Sequence, residues 1–166
     1  MLWLVVGSSR RWVEERIRFY ESIGLPRTTL EEYWQKPEEL AHYAQATVDI
    51  LFKFPFGTQE LEGIAARSDY DLSQHERFTG KTMGVFDEEL RAAWPKLDAA
   101  KQAELAQRYQ DKRHRYLTKM GVAPEVAAKE AKEDADGLAK GQYIPHVIEP
   151  SAGVDRLILA LITNAY

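Results

Sequence analysis

The sequence predicts an α+β fold, an antiparallel sheet flanked by helices and carrying a helical insertion, and three observations predict it. Val48, Ile50, Phe52 and Phe54 alternate with other residues as in a half-buried strand, and a second strand-like segment follows the turn residues Pro55-Phe56-Gly57. Apolar residues recur at helical spacing on both sides of that pair. A strand, a turn and an apolar helix then occupy 142–165. The 166 residues are one domain's worth of chain, able to bury roughly two thirds of its unfolded surface. The absence of Cys excludes disulfides and thiolate zinc sites. A net charge of -4 excludes a surface that is basic throughout, so any RNA contact must be local.

Met1-Leu2-Trp3-Leu4-Val5-Val6 is too short for a membrane span or a secretory segment and lacks a basic flank. It reads as a buried strand, and the default address of the chain is a reducing cytoplasm, with no membrane partner. Ser8 and Ser9 are placed to cap a helix over Arg10 to Ile23, where Trp12, Val13, Ile17, Tyr20 and Ile23 recur at helical spacing and Gly24 supplies the stop. A short helix is expected at Glu31 to Trp34, and Pro37 opens another over Glu38 to Ala44. The strand over Ala46 to Pro55 turns into Glu60 to Ala66, which returns antiparallel. Regular alternation puts Glu60, Glu62 and Ile64 on one face and Leu61, Gly63 and Ala65 on the other. Two carboxylates are costly on a dry face, so that face is expected to be wet or cation-binding. Another helical turn starts at Asp69 to His75.

From about Phe86 the texture changes to Ala, Lys, Glu, Gln and Arg, and 87–140 reads as an inserted helical hairpin between core segments 1–86 and 141–166. Asp98 caps a helix from Ala99 to Met120 closed by Gly121, and Pro124 opens a second over Glu125 to Leu138. The stripe Ala99, Ala103, Ala106 and Tyr109 is thin, which leaves the packing to Leu97, Leu105, Leu117 and Val126. Strand character returns at Gln142 to Ile148, Glu149 to Gly153 is expected to turn, and Val154 to Ala165 is apolar nearly all round, which predicts a buried helix.

A carboxylate at Glu149 and a hydroxyl at Ser151 suit an ammonium group, and Arg156 near a helix N-terminus suits a phosphate. The structural alternative, which the residues alone favour, is that Ser151 only caps the helix and Arg156 pairs with Asp155 or a surface carboxylate. Phe78-Thr79-Gly80-Lys81-Thr82 is similar to the end of a P-loop, but His75 stands where a glycine is required, so the segment reads as a loop. His42, His75, His114 and His146 have no metal-ligand spacing. Lys112-Arg113-His114-Arg115 with Tyr109 and Tyr116 forms a basic, aromatic cluster that suits RNA, although a solvated face paired with Glu104 and Asp111 is the commoner meaning of such a run.

The string from Tyr143 through Pro145, Glu149-Pro150-Ser151-Ala152-Gly153 and Arg156 to Leu157 resembles motif 3 of the class II aminoacyl-tRNA synthetases, in its glycyl-tRNA synthetase form. His42-Tyr43-Ala44, Ala46 to Ile50, Phe54-Pro55-Phe56-Gly57, Glu60 to Ala65 and Asp69-Tyr70-Asp71-Leu72 are similar to the preceding blocks of that family, in order. Trp12 to Leu25 resembles the helix after motif 2. The likeness covers nearly the whole chain except 87–140.

The resemblance implies a class II synthetase-like sheet, ATP-dependent activation of glycine and transfer to tRNA-Gly. By that resemblance Glu149 and Ser151 bind the glycine ammonium, with Pro150 shaping their turn, and Arg156 is the catalytic cation against the ATP phosphates. Glu60, Leu61, Gly153, Val154 and Asp155 line the ATP site, Gly153 by letting backbone approach the nucleotide. Mg2+ accompanies ATP, with Glu60 as a ligand; Glu62 is either a further ligand or an ion-pair partner. The inserted helix, with its basic cluster, is placed to touch the tRNA acceptor stem. Thr58 stands where the family usually has tryptophan, and Leu51 where a polar or acidic residue is common. The sequence contains no motif 1 and no Phe-Arg-x-Glu of motif 2. The expectation is therefore a partial catalytic domain, a homodimer or one completed by a chain supplying motifs 1 and 2. The alternative is a non-catalytic, truncated or split module binding glycine, ATP or tRNA.

Overall fold

A computed structural model describes the backbone of residues 2–166 and the side chains of 9–166. In chain order the elements are α1 (Leu2–Ser22), β1 (Leu30–Trp34), β2 (Ala46–Phe54), β3 (Gly57–Ser68), α2 (Tyr70–Thr79), β4 (Val85–Phe86), α3 (Glu88–Ala93), α4 (Ala99–Lys119), α5 (Pro124–Gly137), β5 (Gln142–Tyr143), β6 (Val147–Ala152) and α6 (Val154–Ala165). They form two compact units, one ending at Asp71 and resuming over His146–Tyr166, the other Leu72–Pro145.

The first unit is an antiparallel sheet in the order β1-β2-β3-β6 with helices against it. The alternation of β2 holds: Val48, Ile50, Phe52 and Phe54 are all buried. They join Leu61 and Ile64 of β3, Val13, Ile17 and Tyr20 of α1, Leu25 and Ala160 of α6 in one core. Asn164 at the end of α6 donates to the Gly24 carbonyl at 2.9 Å, next to the end of α1.

Several expectations are overturned. The backbone of Leu2 to Val6 is helical, not a strand; Met1, and the burial expected of the side chains up to Ser8, lie outside the described residues. A six-residue apolar run satisfies either period, and nothing between it and Arg10 stops a helix, since one glycine costs only about 1 kcal/mol. Ser8 and Ser9 therefore lie inside α1 rather than at its cap. Gly24 does follow its end, at φ +101°. Glu31 to Trp34 belongs to a strand, because β2 offers it a partner along Leu30↔Phe52 to Trp34↔Val48, and 38–44 forms turns rather than a helix. The strand expected over Gln142 to Ile148 is two strands, β5 and β6, separated at Pro145, which has no N–H to give a ladder. Glu149-Pro150-Ser151 is strand rather than turn, and α6 is capped by Gly153 with no side-chain cap, so Ser151 does not cap it. Only one side of α6 meets the core. Val154, Ile158, Leu159 and Ile162 are exposed, which corrects the expectation of a buried helix.

In the second unit, Asp98 caps α4 by accepting from the Lys101 N–H at 2.7 Å, and Pro124 begins α5. The hairpin core is Leu117, Val122, Ala127 and Ala131. Alanines four apart on α5 let the helices approach, whereas Val126, expected inside, is 47% exposed. Arg113 is buried, with its Nε 2.6 Å from Asp134 and its Nη1 donating to the Ser73 hydroxyl at 3.1 Å. Neither an RNA-facing cluster nor a solvated face includes it. No helix among the described residues is long and apolar enough to cross a membrane.

Ile50→Ala should cost about 3 kcal/mol, the usual range for truncating a fully buried isoleucine, and Val126→Ala under about 0.5 kcal/mol. Denaturant unfolding of the two variants measures both; equal losses would contradict this division of core and surface.

Candidate functional site

The site is built on β3, whose two faces carry different chemistry. Ile50 of β2 pairs with Glu62, but Leu51 pairs with Glu60, so Leu61 has no partner and forms a bulge. The bulge breaks the alternation that put Glu60 and Glu62 on one face. Leu61 and Glu62 both turn into the core, while Glu60 lies on the opposite, open face. The shared wet carboxylate face is thus not formed. Glu62 is 1% exposed and satisfied from α1: Arg16 Nε donates to its Oε1 at 2.7 Å, and the Tyr20 hydroxyl donates to its Oε2. It is an interior anchor, out of reach of a nucleotide-bound metal on the open face. Leu61 likewise offers that face only backbone.

On β6, Glu149 pairs with Ala65, Pro150 with Ile64 and Ser151 with Gly63. Strand alternation therefore turns Glu149 and Ser151 to the open face and Pro150 to the core side. Pro150 is tolerated because β6 is an edge strand. Gly63 also pairs with Asp49, and a Cβ on Gly63 would lie 3.2 Å from Glu60 Oε1 and 3.7 Å from Asp49 Oδ1. Two carboxylates thus flank Gly63 on one side and the Ser151 strand borders it on the other, and a Cβ there would press only on the movable end of the exposed Glu60 side chain. Gln35 Nε2 donates to Asp49 Oδ2 at 2.9 Å.

Arg67 sits where the β3–β6 register slips again, between Ala66 and Ser68, and Ser68 adopts φ 56°, a conformation rare for a non-glycine residue. From there Arg67 Nη1 donates to Glu149 Oε2 at 2.7 Å, and Nε and Nη2 donate to the Asp71 oxygens at 2.6 and 3.0 Å. Its guanidinium lies 3.9 Å from the centre of the Tyr43 ring. The Asp71 hydrogen bonds, and then that to Glu149, hold the Arg67 pKa above its ordinary range. Sequence reasoning gave Arg67, Asp71 and Tyr43 no role. The four-residue spacing of Arg67 and Asp71 is the one local signal, and it says nothing of Glu149.

Arg156 lies in the first turn of α6, exposed, and its Nη1 donates to the backbone carbonyl of Glu60 at 2.5 Å. Its hydrogen-bond partner is thus a backbone carbonyl rather than Asp155 or a surface carboxylate. Val154 and Asp155 are exposed beside it. Gly153 has φ -81° and an added Cβ would meet only Arg156 Cβ at 3.8 Å, so neither conformation nor crowding requires glycine. Leu51 lies opposite Glu60 on the open face, and exposed Thr58 opposite Lys53. Among the described residues no group of three or more acidic or imidazole side chains could hold a metal by itself. The exposed Glu60 carboxylate is nonetheless the hard oxygen donor that Mg2+ takes one or two of when it arrives on a phosphate. Taken together, Asp49, Glu60, Asp71 and Glu149 against the Arg67 guanidinium make a face suited to an ammonium group.

No family model matches the sequence. Over 157 residues it is 41% identical to a glycine–tRNA ligase of Thermus thermophilus, a match of 95% of this chain and 24% of that protein. It is 33% identical over 156 residues to the glycine–tRNA ligase of Chlorobaculum tepidum, covering 93% and 22%. It is 34% identical over 155 residues to that of Caldanaerobacter subterraneus, covering 93% and 23%. The chain spans about a quarter of the length of these relatives. Matches of this extent run through most of 87–140, so the likeness is not confined to the sheet-forming segments.

Burial, and next the hydrogen bond to Glu62, push the Tyr20 hydroxyl far above its ordinary pKa of 10.0. Above about pH 10 the unfolded chain releases that proton while the folded chain keeps it, so stability present below pH 10 is lost as pH rises. Tyr20→Phe should flatten the decline. A slope remains from Tyr33, raised by its bond to Glu39, and Tyr143, raised mainly by burial. Unfolding free energies of both chains between pH 8 and 11 measure this; parallel curves would contradict it.

Proposed function

We propose that this chain, related in sequence to the glycine–tRNA ligases over nearly its whole length, is the part of a class II catalytic domain that holds glycine and the ATP phosphates. The observation that carries the reading is the pairing of Glu149 and Ser151 across β3 from Ala65 and Gly63, on the same face as Glu60, with Arg156 bound to the Glu60 carbonyl.

Glycine offers its ammonium, its carboxylate and no side chain. A pocket for it gains affinity from charged hydrogen bonds to the ammonium and gains selectivity from lack of room. Glu149 supplies the carboxylate, oriented by Arg67, and Ser151 a hydroxyl two residues along the same strand face. The hydrogen-bonded neighbours of that face, Gly63 and Ala65, are the smallest side chains available, so the backbone floor lies close beneath the ligand. Arg156 spends one of its five N–H donors on the Glu60 carbonyl and directs others toward phosphate oxygens. Glu60 provides an oxygen for the Mg2+ that accompanies ATP, and Gly153 to Asp155 border the nucleotide.

In the activation step the glycine carboxylate attacks the α-phosphorus and pyrophosphate leaves. Glu149, Ser151 and Arg156 hold the two reactants in place for that step; a hydroxyl of the terminal adenosine of tRNA-Gly then attacks the carbonyl of the glycyl-adenylate, forming the ester as AMP leaves. Core segments 1–86 and 141–166 around an inserted 87–140 belong to the same reading. So does completion of the domain by motifs 1 and 2, from the same polypeptide or from a partner.

Calorimetry on the chain and two variants tests it. Glu149→Ala should abolish measurable glycine binding and leave ATP·Mg2+ binding within about twofold. Arg156→Ala should do the reverse, weakening ATP by about tenfold or more, as expected for losing a charge-assisted contact of about 1.5 kcal/mol or more. Unchanged glycine affinity in a folded Glu149→Ala chain would overturn the assignment. Glycine and ATP binding without activation would make the chain a binding module.

A further inference from the structure

We infer that Glu62, gripped from α1 by Arg16 and Tyr20, is a positioning residue that sets the direction of Arg156 through the bulge of β3. The inference rests on the reading of Arg156 as the phosphate-binding cation, and it deepens that reading by naming what holds the cation in place.

The link runs through the bulge. Without it, Leu51 would face Leu61 and Phe52 would face Glu60, placing Glu60 on the core side among Phe52 and Phe54 and Leu61 on the open face. The bulge exchanges a buried carboxylate for a buried leucine, but it leaves Glu62 in the interior. A buried carboxylate is tolerated there only because both oxygens are satisfied, by a guanidinium 2.7 Å away and by a phenol. Those two bonds hold the strand at that register. Slipping the bulge by one residue would let the Glu62 carboxylate escape to water, and it would strand Arg16 and Tyr20 without it.

The peptide that joins Glu60 to the unpaired Leu61 is planar, so the Glu60 carbonyl points wherever the bulge conformation directs it. That carbonyl accepts from Arg156 Nη1. The Glu60 side chain takes no part in the contact. α1 is therefore linked to the Arg156 contact through three consecutive residues of one strand, 60–62.

The experiment follows the Arg156 side chain itself. In the 166-residue chain, the Arg156 Nε–Hε signal should show a rigid heteronuclear NOE. Glu62→Ala should render it mobile and raise the Kd for ATP·Mg2+ about tenfold while glycine affinity changes less than about twofold. Glu62→Gln, which keeps one acceptor oxygen for Arg16 and turns an N–H donor toward the Tyr20 oxygen, should restore part of both. Tyr20→Phe, the mildest lesion, should give a partial effect in the same direction, which keeps the test open if Glu62→Ala does not fold. Glu60→Ala, which retains the carbonyl, should leave the signal rigid. Ile50→Val, which weakens the same core without touching the network, should move neither readout. A rigid Arg156 in folded Glu62→Ala and Tyr20→Phe chains would overturn the positioning role. Failure of the wild-type chain to bind ATP, with the Arg156 response intact, would instead overturn the assignment of the phosphate site.

Discussion

The bulge at Leu61 is the constraint on which the rest of the sheet unit depends. A single unpaired residue separates two carboxylates by the thickness of the sheet, one dry and one wet. Glu62 is affordable inside only because α1 presents Arg16 and Tyr20 at the same height, which ties the packing of α1 to the register of β3. Glu60 is then available outside, and its carbonyl orients Arg156. Helix packing, strand register and site geometry are thus one problem with one solution.

The open face uses a second irregularity in the same way. Where β3 slips against β6 at Arg67, the guanidinium reaches both Asp71 and Glu149 and stacks on Tyr43. Glu149 is held rather than left to sample rotamers, which would lower the entropy lost in the proposed binding of an ammonium group to it. Small residues at Gly63 and Ala65 keep the floor between the strands low. A site that holds an ammonium and excludes larger substituents needs a fixed anion above a close backbone surface.

What could be read from residues alone follows from whether one period dominated. The alternation of β2, the Asp98 cap and the Pro124 start are local signals with local causes, and the structure matches them. The helical course of Leu2 to Val6 could not be read, because an unbroken apolar run fits both periods. β1 took its conformation from the neighbouring edge of β2, which no four-residue propensity encodes. α6 is apolar on more sides than the sheet covers. Arg113 looks solvated in any charge count, yet Asp134 lies 21 residues away in sequence and reaches it across the hairpin. In the site, Glu149, Ser151 and Arg156 stood out by residue type, and resemblance to a family assigned them roles. Arg67 and the opposite facing of Glu60 and Glu62 depend on bulges, and a bulge leaves no periodic trace in sequence.

Cross-strand NOEs between β2 and β3 bear most directly on the two-faced strand. Contacts of the Leu51 backbone with Glu60, together with Ile50 opposite Glu62 and Leu61 protons near the core side chains, are the expected result. Leu51 facing Leu61, with Glu60 opposite Phe52, would contradict it.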